Sequence, residues 1–424
     1  MTNSLSTILA AAAGETLPDQ AIDRILEAVR THLGMDIAFA SRFVDGRREF
    51  THINAGKPAP AKLGDSEPQE ETYCYRILQG RLPELIIDAK DHPEAMELPI
   101  TAALPVGSHL NVPLRLSDGS VYGSFCCLSH QPDRTLTARD LDTVRAFAAL
   151  AIEQIENELG EEAERRERVG RITQVIEQDR IQMVYQPIHR LADGRPVGVE
   201  ALARFPDQAT RTPDRWFAEA ARIGLGTELE MLAVRQAIRG LPFIPAELYV
   251  AVNVSPATAL APELERVIAD APDGRLVVEV TEHSKVTDHD ALCAALTRLR
   301  GRARIAIDDV GAGYSGLRRI LDLRPDILKL DMSLTRDVDS DPARAALARA
   351  LVSFAEGIHC RIVAEGIETE AEMKALRALG VGYGQGWHFS RPMPSVAVQQ
   401  FLLGAGAGAG APPGAALSPA RRRA

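Results

Sequence analysis

"LVVEVTEHSKVTDHDALCAALTRLRGRARIAIDD", residues 276–309, contains a complete structural unit. "LVVEVTE" is apolar and β-branched, as a buried strand is. "DALCAALTRLRG" is a helical segment, and "RIAIDD" is a strand again. Strand, helix, strand is the repeat of a parallel sheet, whose crossovers need a dozen or more residues. The ending is unusual. Asp308 and Asp309 are adjacent, repel each other and cost free energy to desolvate, yet they close a core strand. The strand is expected to stop at this pair, which frees both side chains from strict alternation. Gly311 and Gly313 then let the following loop turn sharply.

The same alternation extends outward. "IQMVYQPI", "VGVEALARF", "LYVAVNVSP", "LVVEVTE", "RIAIDD", "ILKLD", "RIVAEGIE" and "YGQGWHF" read as eight strands, most of the later ones separated by helices. They predict a TIM-like (β/α)8 barrel. Between the first two lies only "HRLADGRPV", too short for a parallel crossover, and Asp193-Gly194 is a turn signal. The barrel should therefore begin with an antiparallel hairpin.

Polar residues recur at the strand ends: Glu200, Asn253, Glu279 and Glu282, Asp308 and Asp309, Lys329 and Asp331, Glu365, and Gln385. In a parallel barrel these ends share one face, where barrel enzymes keep their chemistry. Acids converging there repel unless cations sit among them. Oxygen donors with one Asn select Mg²⁺ or Mn²⁺ over zinc. One aspartate of the pair can bridge two metals while the other binds the second. Two metals about 3.5–4 Å apart suit in-line displacement at phosphorus. Lys329 can orient the nucleophile or neutralise developing charge.

These residues resemble a known family. "VEALARF" (199–205) is similar to the E-A-L-x-R signature of the EAL-domain cyclic di-GMP phosphodiesterases. "NVSP", "VEVTE", "AIDDVGAGYSGL", "LKLD", "VAEGIET" and "GQGWHFSRP" follow in the family's order, from about Ile172 to Phe401. The resemblance implies that Glu200, Asn253, Glu279 and Asp308 are metal ligands, and that Asp309 binds a second metal. It implies that Lys329 holds the attacking water and that Glu365 lies at the second metal, sometimes described as a general base. Glu282 would steady the loop after the Asp pair, and Gln385 would be a site glutamine. Gln186 and Arg204 would contact the dinucleotide. The implied reaction hydrolyses cyclic di-GMP to linear pGpG with two divalent ions, Mg²⁺ or Mn²⁺. Val310 stands where the family usually has Phe, and Gly316 where Ser is common, so rate and regulation are affected more than chemistry.

The chain has 424 residues, 46% hydrophobic and 25% charged, with a net charge of −10. That charge repels a phosphate backbone, so no DNA or RNA polymer is expected as partner. No run approaches a membrane span, and "MTNSLSTILAAAAGE" lacks a basic leader, so a first helix and a cytoplasmic location are expected. Five cysteines without C-x-x-C fit a reducing compartment. Cys126 and Cys127, neighbours in a strand, should face opposite ways.

Four segments are expected: an α+β GAF-like sensor domain (1–155), a helical linker (156–170), the EAL domain (171–403) and a disordered Ala/Gly/Pro-rich tail (404–424). "YCYRILQGRLPELIIDAKDHP" and "GSHLNVPLRLSDGSVYGSFCCLS" resemble the second half of GAF domains, which bind small ligands or act as dimerising scaffolds. No bilin-attachment sequence and no GGDEF signature is present. His109 and Cys74 are read as packed or loop residues, and an unknown small ligand of the GAF domain is left unnamed. Leu141, Val144, Ala148, Ile152, Ile155 and Leu159 form a helical stripe, with Thr137 as N-cap. An apolar face that one chain does not fully cover predicts a homodimer. The competing functions are an inactive EAL receptor for cyclic di-GMP and an unrelated Mg²⁺-dependent barrel enzyme.

Overall fold

The computed structural model describes residues 21–56, 61–206, 211–281, 288–311 and 317–407, in two compact units, Met1–Glu164 and Arg165–Ala424. Glu282, Gly316, the N-terminal fifteen-residue segment and most of the tail lie outside the described residues.

In the first unit, β1 (Ile37–Val44), β2 (Arg47–Ala55), β3 (Ser66–Pro68), β4 (Leu85–Ile86), β5 (Ser108–Arg115) and β6 (Val121–Ser129) form one antiparallel sheet, ordered β3-β2-β1-β6-β5-β4. Alternation assigns its two faces. Ala38, Ala40, Phe125 and Cys127 pack under Ile22, Leu26, Val144 and Phe147 of the flanking helices. Ile37, Phe39, Cys126 and Leu128 pack on the other face with Cys74. Cys126 and Cys127 thus point apart, and all five cysteines are free thiols.

One helix runs without a break from Ala138 to Glu177. Its N-terminus is tied by Thr137, whose backbone N–H and hydroxyl both donate to Asp140 Oδ2 at 2.8 Å. Most of the stripe is covered within the first unit. Leu141, Val144, Ala148 and Ile155 are buried in the first unit's core, and Leu159 alone of the stripe is exposed. Ile152 is half-buried, so the part of the stripe left open to a second copy is its C-terminal end, Ile152 and Leu159.

In the second unit, β7 (Gln182–Arg190) and β8 (Pro196–Arg204) form the antiparallel hairpin. Parallel neighbours follow in order: β9 (Tyr249–Val254), β10 (Leu276–Thr281), β11 (Ala303–Val310), β12 (Ile327–Leu330), β13 (Arg361–Ala364) and β14 (Tyr383–Gly384). β14 pairs antiparallel with β7 and closes a barrel of eight strands. A short β15 (Met393–Pro394) joins the outer edge of β7.

Parity sorts each strand. Ile188, Tyr249, Ala251, Val277, Ala306, Ile327 and Val363 fill the barrel interior. Val250, Val252, Val278, Ile305, Ile307, Leu328, Leu330 and Ile362 face the surrounding helices. The taper is filled by pairing small with large: a Cβ on Gly198 would lie 2.6 Å from the ring of Tyr249, its partner across β8 and β9.

Three sequence expectations change. β11 does not stop at the Asp pair but runs to Val310, with an irregular register against β12 between Ile307 and Val310. "YGQGWHF" makes only a two-residue strand, because Gly386 (φ 156°) turns the chain at once. The last helix, Ser395–Ala407, extends past the expected boundary at 403, as alanine's helix preference allows.

At Gly386 a Cβ would lie 2.1 Å from Ile367 O and 2.3 Å from Ile367 N, backbone atoms that cannot yield. Gly386→Ala should destabilise by about 2–4 kcal/mol in denaturant melts. Gly160→Ala, in mid-helix with open space around it, should instead stabilise by about 0.5–1 kcal/mol. Similar effects from the two would mean that the barrel closure is misdescribed.

Candidate active site at the barrel mouth

The interior parity of each strand carries its polar residue to one mouth. Asn253, Glu279, Asp308, Lys329, Glu365 and Gln385 each lie two residues beyond an interior residue: Ala251, Val277, Ala306, Ile327, Val363 and Tyr383. Asn253 and Glu279 are direct partners across β9 and β10, and Gln186 is the partner of Glu200 across the hairpin.

Lys329 is at the centre, 1% exposed. Its Nζ lies 2.7 Å from Glu279 Oε2, 2.7 Å from Glu365 Oε1, 3.3 Å from Asp308 Oδ1 and 3.5 Å from Glu200 Oε1. Around this core, Asn253 Nδ2 donates to Glu200 Oε1 (2.8 Å), and Gln385 Nε2 donates to Glu200 Oε2 (2.6 Å) and Glu365 Oε1 (3.2 Å).

Asp309 would point away from the mouth if alternation held. Its φ of 59° is left-handed, uncommon for a residue other than glycine, and breaks the alternation. Its N–H donates to Asp308 Oδ1 at 3.0 Å. As a result Asp308, Asp309 and Glu365 can each place an oxygen within 4.8 Å of the others. The expectation that both aspartates reach the mouth stands on a different cause, a local backbone strain within the strand and not the strand's end.

One ammonium does not balance this set. Burial pushes the Glu365 carboxyl up to about 8, with Asp308 and Glu200 adding to the rise and Lys329 opposing it. Burial likewise raises Glu279 well above the usual carboxylate range, against the pull of Lys329. Burial also penalises the Glu200 carboxylate, but Lys329 and the amides of Gln385 and Asn253 outweigh it and hold Glu200 below its ordinary value. Burial opposes the charge on Lys329, yet Asp308, Glu200, Glu279 and Glu365 raise its pKa well above the usual value. The donor set is oxygen-rich, and Gln385 Oε1 is buried with no hydrogen-bond partner among the described residues. Both features fit hard divalent cations with their bound water.

Other expected residues stand further out. Gln186 Nε2 donates to Ser390 O at 3.1 Å. Arg204 shares the face of Glu200 at the end of β8, and its Nη1 donates to Ala203 O at 2.9 Å, not to the acid cluster. Asp331 caps the helix Met332–Thr335, accepting from Ser333 N, and belongs to the fold. Sequence reasoning passed over Thr335, whose hydroxyl donates to Glu365 O and fixes the strand end that carries that acid. It also passed over Trp387, 57% exposed with Arg391 stacked 4.3 Å from its ring, two residues after Gln385. A buried threonine and an exposed tryptophan have no spacing signature that distinguishes them.

Comparison with known proteins adds an independent line. The GAF domain model matches residues 17–155, and the EAL domain model matches residues 169–392. The chain is similar to the cyclic di-GMP phosphodiesterase NbdA of Pseudomonas aeruginosa, 33% identical over 244 residues, covering 54% of this chain and 31% of that protein. It is similar to the probable cyclic di-GMP phosphodiesterase PdeD of Escherichia coli K12, 30% identical over 238 residues, covering 54% of this chain and 44% of that one. The chain thus spans less than half the length of these relatives. Among solved structures, it resembles the PaMucR phosphodiesterase in its c-di-GMP complex, with TM-score 0.50, 29% identity, and coverage of 55% of this chain and 99% of that one. The EAL match takes in every strand of the closed barrel and every acid placed at its mouth, and the chain belongs to the EAL domain family.

Proposed function

We propose that this chain is a metal-dependent phosphodiesterase that hydrolyses cyclic di-GMP to linear pGpG. The observation that carries the reading is the Lys329 cluster: four carboxylates lie within 4 Å of one ammonium, and Asp309 is strained toward them. Such crowding is tolerable where further cations, and then a phosphodiester, complete the site.

Glu200, Asn253, Glu279 and Asp308 would hold one divalent cation, Mg²⁺ or Mn²⁺, and Asp308, Asp309 and Glu365 a second. The ions supply Lewis-acid activation of water and stabilisation of a leaving oxygen. The chain's own groups do the positioning. Lys329 directs its N–H donors at an attacking water and offsets charge that develops on phosphorus. Glu365, whose carboxyl burial and the neighbouring acids hold protonated more than an ordinary carboxylate, would lose that proton to an entering cation and could then serve as the base. Gln385 fixes Glu200 and Glu365 relative to each other. Gln186 and Arg204, on the hairpin beside Glu200, would take the dinucleotide.

The wider reading is part of the same proposal. Residues 1–155 form a GAF sensor, 156–170 a helical linker, and 171–403 the catalytic barrel regulated by that sensor. Among the described residues no helix is long and apolar enough to cross a membrane. A receptor without activity would be expected to lack an acid or the lysine, and each of them is present at the mouth.

The direct test is incubation with cyclic di-GMP and Mg²⁺ or Mn²⁺, with product identified by mass. Linear pGpG should appear and should be absent in excess chelator. Intact cyclic di-GMP under all conditions would leave a binding role only. Glu200→Ala and Asp308→Ala should each lower turnover by at least about 100-fold in folded protein. Near-normal rates would show that the site lies elsewhere.

Metal binding should also register as stability. Saturating Mg²⁺, at about 100 times its Kd, should stabilise by about 2.7 kcal/mol. Glu200→Gln should shrink that gain, because it removes a ligand charge. An unchanged melting temperature in Mg²⁺ and in chelator would contradict the metal assignment without reference to activity.

A further inference from the structure

Two of the three thiols of the first unit lie side by side. Cys74, on the helix Tyr73–Leu78, and Cys126, on β6, are 52 residues apart in sequence, yet their Sγ atoms are 3.3 Å apart. A disulfide needs about 2.05 Å, so closure requires an approach of little more than about 1 Å. Both thiols are buried, 2% and 0% exposed, on the sheet face opposite the long helix.

Their surroundings are polar and ordered. Arg48 Nη1 donates to Cys74 Sγ at 3.5 Å. That guanidinium lies over both the Phe39 and Phe50 rings, 5.0 and 4.1 Å from their centroids, and is paired with Glu67. Asn111 Nδ2 donates to Cys126 Sγ at 2.9 Å. A cavity of about 340 Å³ is lined by Phe39, Arg48, Tyr73 and His109 among others, with the two sulfurs behind that lining. Arg48 therefore borders both the cavity and the Cys74 sulfur.

The remaining cysteines lack this setting. Burial alone pushes the Cys127 thiol up to about 12, and burial raises Cys360 to about 12 as well. Burial also works against ionisation of Cys74, but the Cys126 thiol and the Arg48 charge outweigh it and bring Cys74 down to about 6. Thiolate character, a neighbouring second thiol and access distinguish an oxidisable cysteine from an inert core one; the first two are built in here, and access for a small oxidant would come through the cavity that Arg48 borders.

We propose that Cys74 and Cys126 are a peroxide-oxidised dithiol site, with Cys74 as the attacking thiolate and Cys126 as the resolving thiol. The Cys74 sulfur attacks one oxygen of a hydroperoxide. An S–O bond forms, the O–O bond breaks, and the departing oxygen leaves as water, or as an alcohol from an organic peroxide, with the thiol proton. The Cys126 sulfur then attacks the Cys74 sulfenic acid. The S–S bond forms, the S–O bond breaks, and hydroxide leaves with the Cys126 proton as a second water. Two thiols are oxidised by two electrons, and the peroxide is reduced. The product ties the helix Tyr73–Leu78 to β6. The site is independent of the phosphodiesterase reading.

The test uses the full chain, reduced and then exposed to hydrogen peroxide. It is unfolded under acid quench, alkylated and mapped by mass spectrometry. Two of the five thiols should become unreactive to alkylation, and one Cys74–Cys126 linked peptide should appear and vanish on treatment with dithiothreitol. In Cys126→Ser, with its fold checked by circular dichroism, Cys74 should instead stop at a sulfenic acid trapped by dimedone. In Cys74→Ser, Cys126 should stay reduced. Prior oxidation of Cys293 or Cys360, five alkylatable thiols after exposure, or a lasting sulfenic acid at Cys74 in the unmutated chain would each overturn the proposal. Chain first unfolded in denaturant should lose the selectivity, and equal selectivity there would also overturn it.

Discussion

The ammonium of Lys329, enclosed by Glu200, Glu279, Asp308 and Glu365, is the interaction on which the rest of the barrel unit depends. It reconciles a demand of folding with a demand of chemistry. A closed barrel must fill its interior, and below the mouth it does so with Ala251, Val277, Ala306, Ile327 and Val363. One layer higher the same inward positions carry acids. Those acids are tolerable because one buried cation sits within reach of all four, and because amides from Asn253 and Gln385 satisfy Glu200. A buried ion pair in isolation is weak evidence for stability. This cluster is better understood as a site whose charge is left incomplete, so that cations and a phosphodiester have something to complete.

The surrounding fold serves that placement. The antiparallel start of the barrel puts Gln186 directly across from Glu200. Thr335 fixes the carbonyl of Glu365, while the tight backbone contact between Gly386 and Ile367 fixes the turn after Gln385. The strain at Asp309 is localised at one φ and has a visible return: a second carboxylate from the same strand arrives on the same side. In the first unit the oxidisable pair is also built from ordinary strand parity. Cys126 turns toward Cys74 because Cys127 turns toward the helices.

Much of this was legible in the sequence because it is periodic. Alternating strand and helix announce the barrel, the short "HRLADGRPV" announces the hairpin, and polar residues in step with each strand's interior parity announce the mouth. What was not legible depends on contacts distant in sequence or on single dihedrals. No local pattern says that Asp309 will be left-handed, so the aspartate pair looked like a strand end when the strand continues to Val310. Nothing around Leu141 or Ile155 says that they join the core of the first unit with the helix Ala21–Leu33, while Leu159 of the same stripe stays exposed. Cys74 and Cys126 meet only because the sheet brings the helix Tyr73–Leu78 against β6.

The most direct measurement of the central claim is calorimetric titration of Mn²⁺ into chelator-stripped protein, repeated in buffers of different ionisation enthalpy to count protons. Burial and mutual repulsion hold Glu365 and Glu279 protonated more than ordinary carboxylates, so cations entering the cluster should displace protons. Binding of about two ions per chain with net proton release near neutral pH is the expected result. No binding of Mn²⁺, or binding that Glu200→Gln leaves unchanged, would contradict a charge-incomplete site centred on Lys329.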